Sequence, residues 1–374
     1  MWGAGAVLDL TDPDVGVRRR PVVGREAWLV ALPAGLAVAA VFVAAGTSGA
    51  HGVFWHGDAP SFLAVARDPF GSGHGFPGDP LAQGVAYRYG RVLLPFVAWV
   101  LAFGRSSRVP WSLAAVFVAS FTAWIAVSAE YLRRSGRRPV LAWWILVLPF
   151  APLWLFAAPT VVAEPMAGAL VVLAYLFDRD GRRGWSRVAA AAAILTRETM
   201  AVTFLPLVWR AWREEGLPGV VRWMRTGVPY AMWALWVRVR VGHFPFLDPA
   251  SNRRDALAPP FVGWWQTLHR PLDNGQQFGL LVALLTLAIA VVVATKSHGY
   301  RPLVWAALTA SALMTCYGWS VWEFPSEAMR VMAPTQVLLL IAALETFAPR
   351  APGLGRATRR RPASTREELV EVPG

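Results

Sequence analysis

RVLLPFVAWVLAFG, residues 91–104, is the stretch on which the fold turns. It starts at Arg91, stops before Arg105 and is apolar between them. A helix needs about 20 apolar residues to cross a hydrocarbon core of about 30 Å. This run has only 14 residues, which suits an interfacial or re-entrant helix. The charges elsewhere test that reading. If 91–104 does not cross, the clusters RRSGRR (133–138), DRDGRR (178–183) and RAWREEG (210–216) and the tail after 349 share one side with Arg18, Arg19, Arg20 and Arg25. If it crosses, every later cluster changes side while the N-terminal run stays. Lys and Arg gather on the cytoplasmic side of a membrane protein, so the first arrangement is expected, with both termini cytoplasmic in a plasma membrane.

The rest of the chain has the composition of a membrane protein. Only 16% of residues are charged and 56% are hydrophobic, where a soluble protein carries about 25% charge. Long apolar runs recur from residue 27 to residue 347, which is span-like patterning and not merely a high average. The formal net charge of +13 is therefore read as topology-setting Arg between spans, and nucleic acid is excluded as a partner. Cys316 is the single cysteine, so no internal disulfide is possible.

Length and flanking charge predict an all-α polytopic protein of about ten transmembrane helices. They are expected near 27–47, 109–132, 139–158, 161–177, 185–197, 199–213, 219–241, 276–295, 302–322 and 327–347. The first, in EAWLVALPAGLAVAAVFVAAG, has the length of a retained signal-anchor and not of a cleavable signal. The pair at 185–213 is interrupted by Arg197-Glu198 and reads as a helical hairpin, or as one long span with a buried charge pair. The expected organisation is a cytoplasmic segment 1–26, a transmembrane domain 27–347 and a basic, disordered cytoplasmic tail 348–374. The domain includes an external loop, 48–108, that carries interfacial helices.

This orientation gathers the chemistry on the external face. Asp58, Glu164, Glu198, Glu323, Glu327 and five of the six His lie there, whereas the cytoplasmic loops are short and basic. In FWHGDAPSFLAVARDPF (54–70), Asp58 stands where a helix begins, so it or Ser61 is a plausible N-cap. GSGHGFPGDP (71–80) is a Gly/Pro loop, and YRYGR (87–91) leads into the interfacial segment. This loop is more elaborate than a connector requires. Irregular backbone at membrane depth is tolerated only against protein or a cavity.

On these residues the sequence resembles the GT-C fold glycosyltransferases, membrane enzymes of the polyprenyl-phosphate-sugar-dependent, mannosyltransferase-like kind. The resemblance rests on Asp58 just after the first span and on paired interfacial helices with YRYGRVLLP at the second. It rests also on AEPMAGALVVLA (163–174) opening with an acid, AAILTRETMAVTFLPL (192–207) with charge at its tip, and the late EAMRVMAPTQVLLL (327–340). It implies transfer of a sugar from a polyprenyl-phosphate donor to a glycan or glycolipid acceptor on the external face, with Asp58 as catalytic base and inversion at the anomeric carbon.

Such a reaction needs a base for the acceptor hydroxyl and cations for the leaving phosphate. Arg fits the second task because its fork binds two oxygens. The expected substrate-binding residues are Arg88, Tyr89, Arg91, Glu164, Arg197, Glu198 and Arg330. Glu198 is expected to pair with its neighbour Arg197, and Arg238 and Arg240 to snorkel towards headgroups. No dedicated metal site is expected, because zinc-ligand spacing is absent. His51, His56 and Asp58 could hold a divalent ion such as Mg or Mn. Two other classes compete with the enzyme. A transporter of lipid or glycolipid would show internal repeats and spans broken at mid-membrane, and no repeat is visible. A non-catalytic membrane scaffold or assembly partner would explain the small size.

Overall fold

The structure is a computed structural model and describes residues 21–46, 54, 58–71, 85–144, 161–247, 257–297, 299, 301–323 and 325–349. The apolar runs fold as helices, as buried backbone requires: in hydrocarbon each N–H and C=O must be satisfied within its own segment. Among the described residues the chain is helical, with one isolated bridge between Leu257 and Tyr317 and no strand. Four helices among the described residues are long and apolar enough to cross a membrane. They are α1 (Arg25–Ala45), α5 (Val109–Arg134), α12 (Asn274–Lys296) and α15 (Pro325–Phe347).

The segment 91–104 contains one short helix. The loop between α1 and α5 holds α2 (Ala59–Arg67), α3 (Val85–Tyr89) and α4 (Leu93–Leu101). With nine residues, α4 is about 14 Å long, less than half of a bilayer core. The packing of its neighbours agrees. Gly24 N–H donates to Glu130 Oε2 at 3.2 Å, and Arg134 Nη2 donates to Val22 O at 2.5 Å. Phe42 stacks on Phe117 with ring centroids 4.9 Å apart. The start of α1 thus meets the end of α5, and the two run antiparallel. Between antiparallel neighbours the chain makes no net crossing.

Further helices complete the bundle. They are α6 (Glu164–Arg179), α7 (Arg183–Thr196), α8 (Leu205–Glu215), α9 (Leu217–Met224), α10 (Val228–Val241), α11 (Val262–Leu268), α13 (Pro302–Thr315) and α14 (Trp319–Trp322). Only four helices reach span length, so ten full spans are not what the described residues form. The pair at 185–213 breaks at Arg197-Glu198, where the sequence places the interruption, and the span expected at 219–241 is divided. Arg197 is extended (φ −158°, ψ 115°) and is followed by a 3-10 turn, Glu198–Phe204. Gly216 (φ 64°) separates α8 from α9, and a second 3-10 turn, Arg225–Gly227, precedes α10. The span expected at 139–158 begins with a 3-10 turn, Pro139–Trp143, and its residues 145–158 lie outside the described residues.

Helix ends sort into two groups. At one end, Arg179 Nη2 donates to Arg134 O at 2.7 Å, Arg210 Nη1 to Asp178 Oδ2 at 2.7 Å and Arg137 Nη2 to Glu345 O at 2.7 Å. This brings together the last turns of α5, α6, α8 and α15. Arg25 and Pro349, near the two limits of the described chain, belong to the same end. The α6–α7 hairpin turns there through Gly181 (φ 73°), whose left-handed backbone lets Arg182 N–H close on Phe177 O at 2.8 Å. At the opposite end lie the starts of α5, α6 and α15, the short helices α2 to α4, and a strap over α13. The strap is held by Ala258 N–H to Cys316 O (2.8 Å) and Phe261 N–H to Thr315 O (2.7 Å).

The middle is close-packed. Trp124, Phe117, Phe121, Leu132 and Leu176 are fully buried. Gly168 on α6 lets α5 approach, since a Cβ there would lie 2.2 Å from the Trp124 ring. Gly168→Ala is therefore expected to cost about 1–3 kcal/mol through overpacking. The check is thermal unfolding in detergent, and an unchanged midpoint would show that Trp124 can yield.

Candidate functional site

The end of the bundle that carries the interfacial helices buries a cluster of ions. Asp58 occupies the N-cap position of α2 but makes no side-chain cap hydrogen bond. Its carboxylate, 3% exposed, turns inward instead. One oxygen accepts from Arg88, and Oδ2 accepts from Arg91 Nη1 at 2.9 Å and lies 2.8 Å from Arg330 Nη1. Capping is thus not the role of this side chain.

A second buried carboxylate continues the cluster. Glu164 opens α6, where a negative charge is favoured by the helix dipole. It pairs with Arg197 and lies 3.5 Å from Arg330 Nε. Arg197 stands at the C-terminus of α7, the helix end that favours a cation, and its Nε donates to Thr199 Oγ1 at 3.1 Å. The expected partner of Arg197 was its neighbour Glu198. The extended backbone at Arg197 sends the two side chains apart, and Glu198 stands 3.9 Å from Arg91 Nε instead, with its side chain 29% exposed. Arg330, on the first turns of α15, bridges Asp58 and Glu164 and so joins the loop to the bundle.

Arg91 is the other bridge. Burial works against its charge, but Tyr87, Glu198, Asp58 and Glu164 together hold its guanidinium well above the usual pKa. It is a permanent cation and not a proton donor. Its Nη2 donates to Tyr87 Oη, and its guanidinium lies 4.9 Å from the Tyr87 ring. Arg88 is 5.7 Å from the same ring.

Seven of the eight residues singled out in the sequence therefore meet: Asp58, Arg88, Arg91, Glu164, Arg197, Glu198 and Arg330. Tyr89 does not join them. Its hydroxyl donates to Asp68 O at 2.8 Å, and its ring packs with Val65, Ala86 and Val237 in a small separate core. Burial first, and the nearby Asp68 second, push its pKa up to about 12, which keeps the hydroxyl neutral. Tyr87 was missed by the sequence reading. The helix α3 ends at Tyr89, and the turn at Gly90 brings Arg91 back beside Tyr87, a geometry that spacing along the chain does not show.

The aromatic residues near this end divide. Trp264 and Trp322 are buried against each other, with ring centroids 4.9 Å apart, and serve packing. Trp265 is 66% exposed and Trp319 lies under Arg270 at 4.0 Å. Arg240 Nε donates to Gly71 O at 2.9 Å and is otherwise at the surface, in keeping with a headgroup position. The candidate metal ligands His51 and His56 lie outside the described residues, as does Trp55. No group of three or more His, Cys, Asp or Glu suited to a metal occurs among the described residues.

Among the described residues the cluster holds four guanidiniums and three carboxylates. It has a surplus of one positive charge at the mouth of a bundle. The Nε–H groups of Arg88 and Arg91 are buried with no hydrogen-bond acceptor among the described residues. Such a site favours an anion that brings acceptor oxygens. In comparisons of sequence and fold, the chain matches no protein family, no characterised protein and no solved structure. The class that fold and site define is thus an all-α, membrane-embedded protein with a buried arginine–carboxylate cluster at one end.

Proposed function

We propose that this chain is an integral membrane glycosyltransferase that moves a sugar from a polyprenyl-phosphate donor to a glycan or glycolipid acceptor. The observation that carries the reading is the convergence of seven ionisable residues, from Asp58 to Arg330, on one buried cluster roofed by short helices. Ions at membrane depth are costly and mark function. The arginine surplus suits a phosphate, and a lipid-linked donor would reach it from the side of the short helices α2 and α4.

The chemistry follows from the residues. The donor phosphate takes up guanidinium contacts now made to Asp58 and Glu164, which frees a carboxylate oxygen of Asp58 for the acceptor. The acceptor oxygen attacks the anomeric carbon while the bond from that carbon to the phosphate oxygen breaks. The electron pair leaves with the lipid phosphate, whose charge the arginines compensate, and the acceptor proton passes to Asp58. One displacement without a covalent intermediate inverts the anomeric centre. Mg or Mn bound near Asp58 would add further charge to the phosphate contacts.

Purified protein in detergent is expected to transfer sugar from a polyprenyl-phosphate donor to a glycolipid acceptor. Absence of transfer across donors of different sugars would refute the reading. In the membrane, the cluster faces outward in the plasma membrane and both termini are cytoplasmic, because the opposite end carries the Arg clusters. With Cys316 replaced by Ala, a Gly184→Cys protein is expected to react with an impermeant thiol reagent only from the cytoplasm, and Arg105→Cys only from outside. The reverse pattern would invert the topology.

A further inference from the structure

The end of the bundle opposite the ionic cluster holds a cleft, lined in part by ionisable side chains, that the proposed transfer does not use. A cleft of about 250 Å³ opens there between α5, α6, α8, α13 and α15. Tyr131, Asp178, Arg179, Arg210, Arg301 and Glu345 line it. Its two carboxylates are engaged differently. Asp178 accepts from Arg210 through both oxygens, with Nη1 to Oδ2 at 2.7 Å. Glu345 accepts from Tyr131 Oη at 3.3 Å and Ser135 Oγ at 3.4 Å.

The remaining cations of the cleft have no carboxylate partner among the described residues. Arg179 donates to Ser135 Oγ at 2.8 Å and to Arg134 O at 2.7 Å, and its guanidinium lies 5.5 Å from the Tyr131 ring. Arg301 makes one long hydrogen bond, 3.4 Å to Glu345 O. It precedes α13, which begins at the cleft wall with Pro302 and has no side-chain cap. The positive end of that helix adds to the field of the guanidiniums. Trp185, Trp209 and Trp212 at the same end are exposed, as residues of an interfacial belt are.

We infer that this cleft binds a phosphate group, supplied by an anionic lipid headgroup or by free phosphate. Three guanidiniums outnumber two carboxylates around a cavity large enough for a phosphate ester, and the cytoplasmic leaflet is rich in anionic lipid. The ligand would brace α6 and α15, the helices that also carry Glu164 and Arg330 of the other cluster.

The test is thermal unfolding of the full chain in neutral detergent, read by tryptophan fluorescence. The probes are a short-chain phosphatidic acid, inorganic phosphate and a short-chain phosphatidylcholine. A saturable rise in midpoint is expected with phosphatidic acid or inorganic phosphate and not with phosphatidylcholine. A response to phosphatidic acid alone assigns the ligand to lipid, and an equal response to inorganic phosphate assigns it to the free ion. Arg301→Gln is expected to raise the half-saturating concentration about tenfold, as for loss of a charged hydrogen bond. Glu345→Gln removes a negative charge from the same cleft and is expected to lower it, which decides the matter even if Arg301→Gln does not fold. No saturable response to either phosphate probe, or a response that neither substitution moves, would overturn the inference.

Discussion

Asp58→Asn is expected to bind a polyprenyl-phosphate sugar and to transfer it about a thousandfold more slowly, the range for removal of a positioned general base. The substitution keeps a side chain of the same shape, with one oxygen that still accepts from Arg91 and Arg330, while the amide NH2 replaces the oxygen that accepted from Arg88. What it removes is the ability to take a proton and one negative charge. Removing that charge beside a donor phosphate leaves binding unchanged or tighter. The expected signature is a collapse in kcat with no rise in KM, measured in detergent with a polyprenyl-phosphate donor. Turnover within tenfold of the parent protein would remove Asp58 as the base. A variant that no longer folds would make Asp58 the counter-ion of the arginines and nothing more.

The pair Glu164–Arg197 has the second large expected effect, on stability. Both side chains are almost fully buried, 2% and 3% exposed. Truncating one partner leaves an uncompensated buried charge, which costs about 3–5 kcal/mol. Arg197→Gln therefore lowers the unfolding midpoint in detergent sharply. Glu164→Gln costs as much, because it strips a counter-charge from both Arg197 and Arg330. The double variant Glu164→Gln/Arg197→Gln restores net balance and is expected to be more stable than either single variant. If the effects of the two substitutions simply add, the residues do not act as a pair.

Much of the fold could be read in advance, for reasons visible in particular segments. The apolar runs that became α1, α5, α12 and α15 needed only length and hydropathy, because in lipid the backbone has no other way to satisfy itself. The segment 91–104 was legible because fourteen residues are too few to cross. The broken regions were harder. Residues 219–241 look like one apolar run, yet a 3-10 turn at Arg225–Gly227 divides them, since local hydropathy does not report where a neighbour forces the chain to bend.

The site divides in the same way. Sidedness alone put Asp58, Arg88, Arg91, Glu164, Arg197, Glu198 and Arg330 on one face, because charge between spans sorts with topology and topology follows from span count. Which charge meets which is a different matter. Sequence adjacency paired Arg197 with Glu198, and backbone geometry at Arg197 paired it with Glu164. Tyr89 was chosen over Tyr87, and the turn at Gly90 reversed that choice. The amino-acid sequence by itself determined a helical membrane protein with Asp58, Glu164, Glu198 and their arginines sorted to one end and the Arg clusters to the other, because hydropathy and charge act along the chain. Only the tertiary structure decided that Asp58 ignores its helix cap and faces three arginines, because such contacts join residues far apart in sequence, and only packing brings them within hydrogen-bond reach.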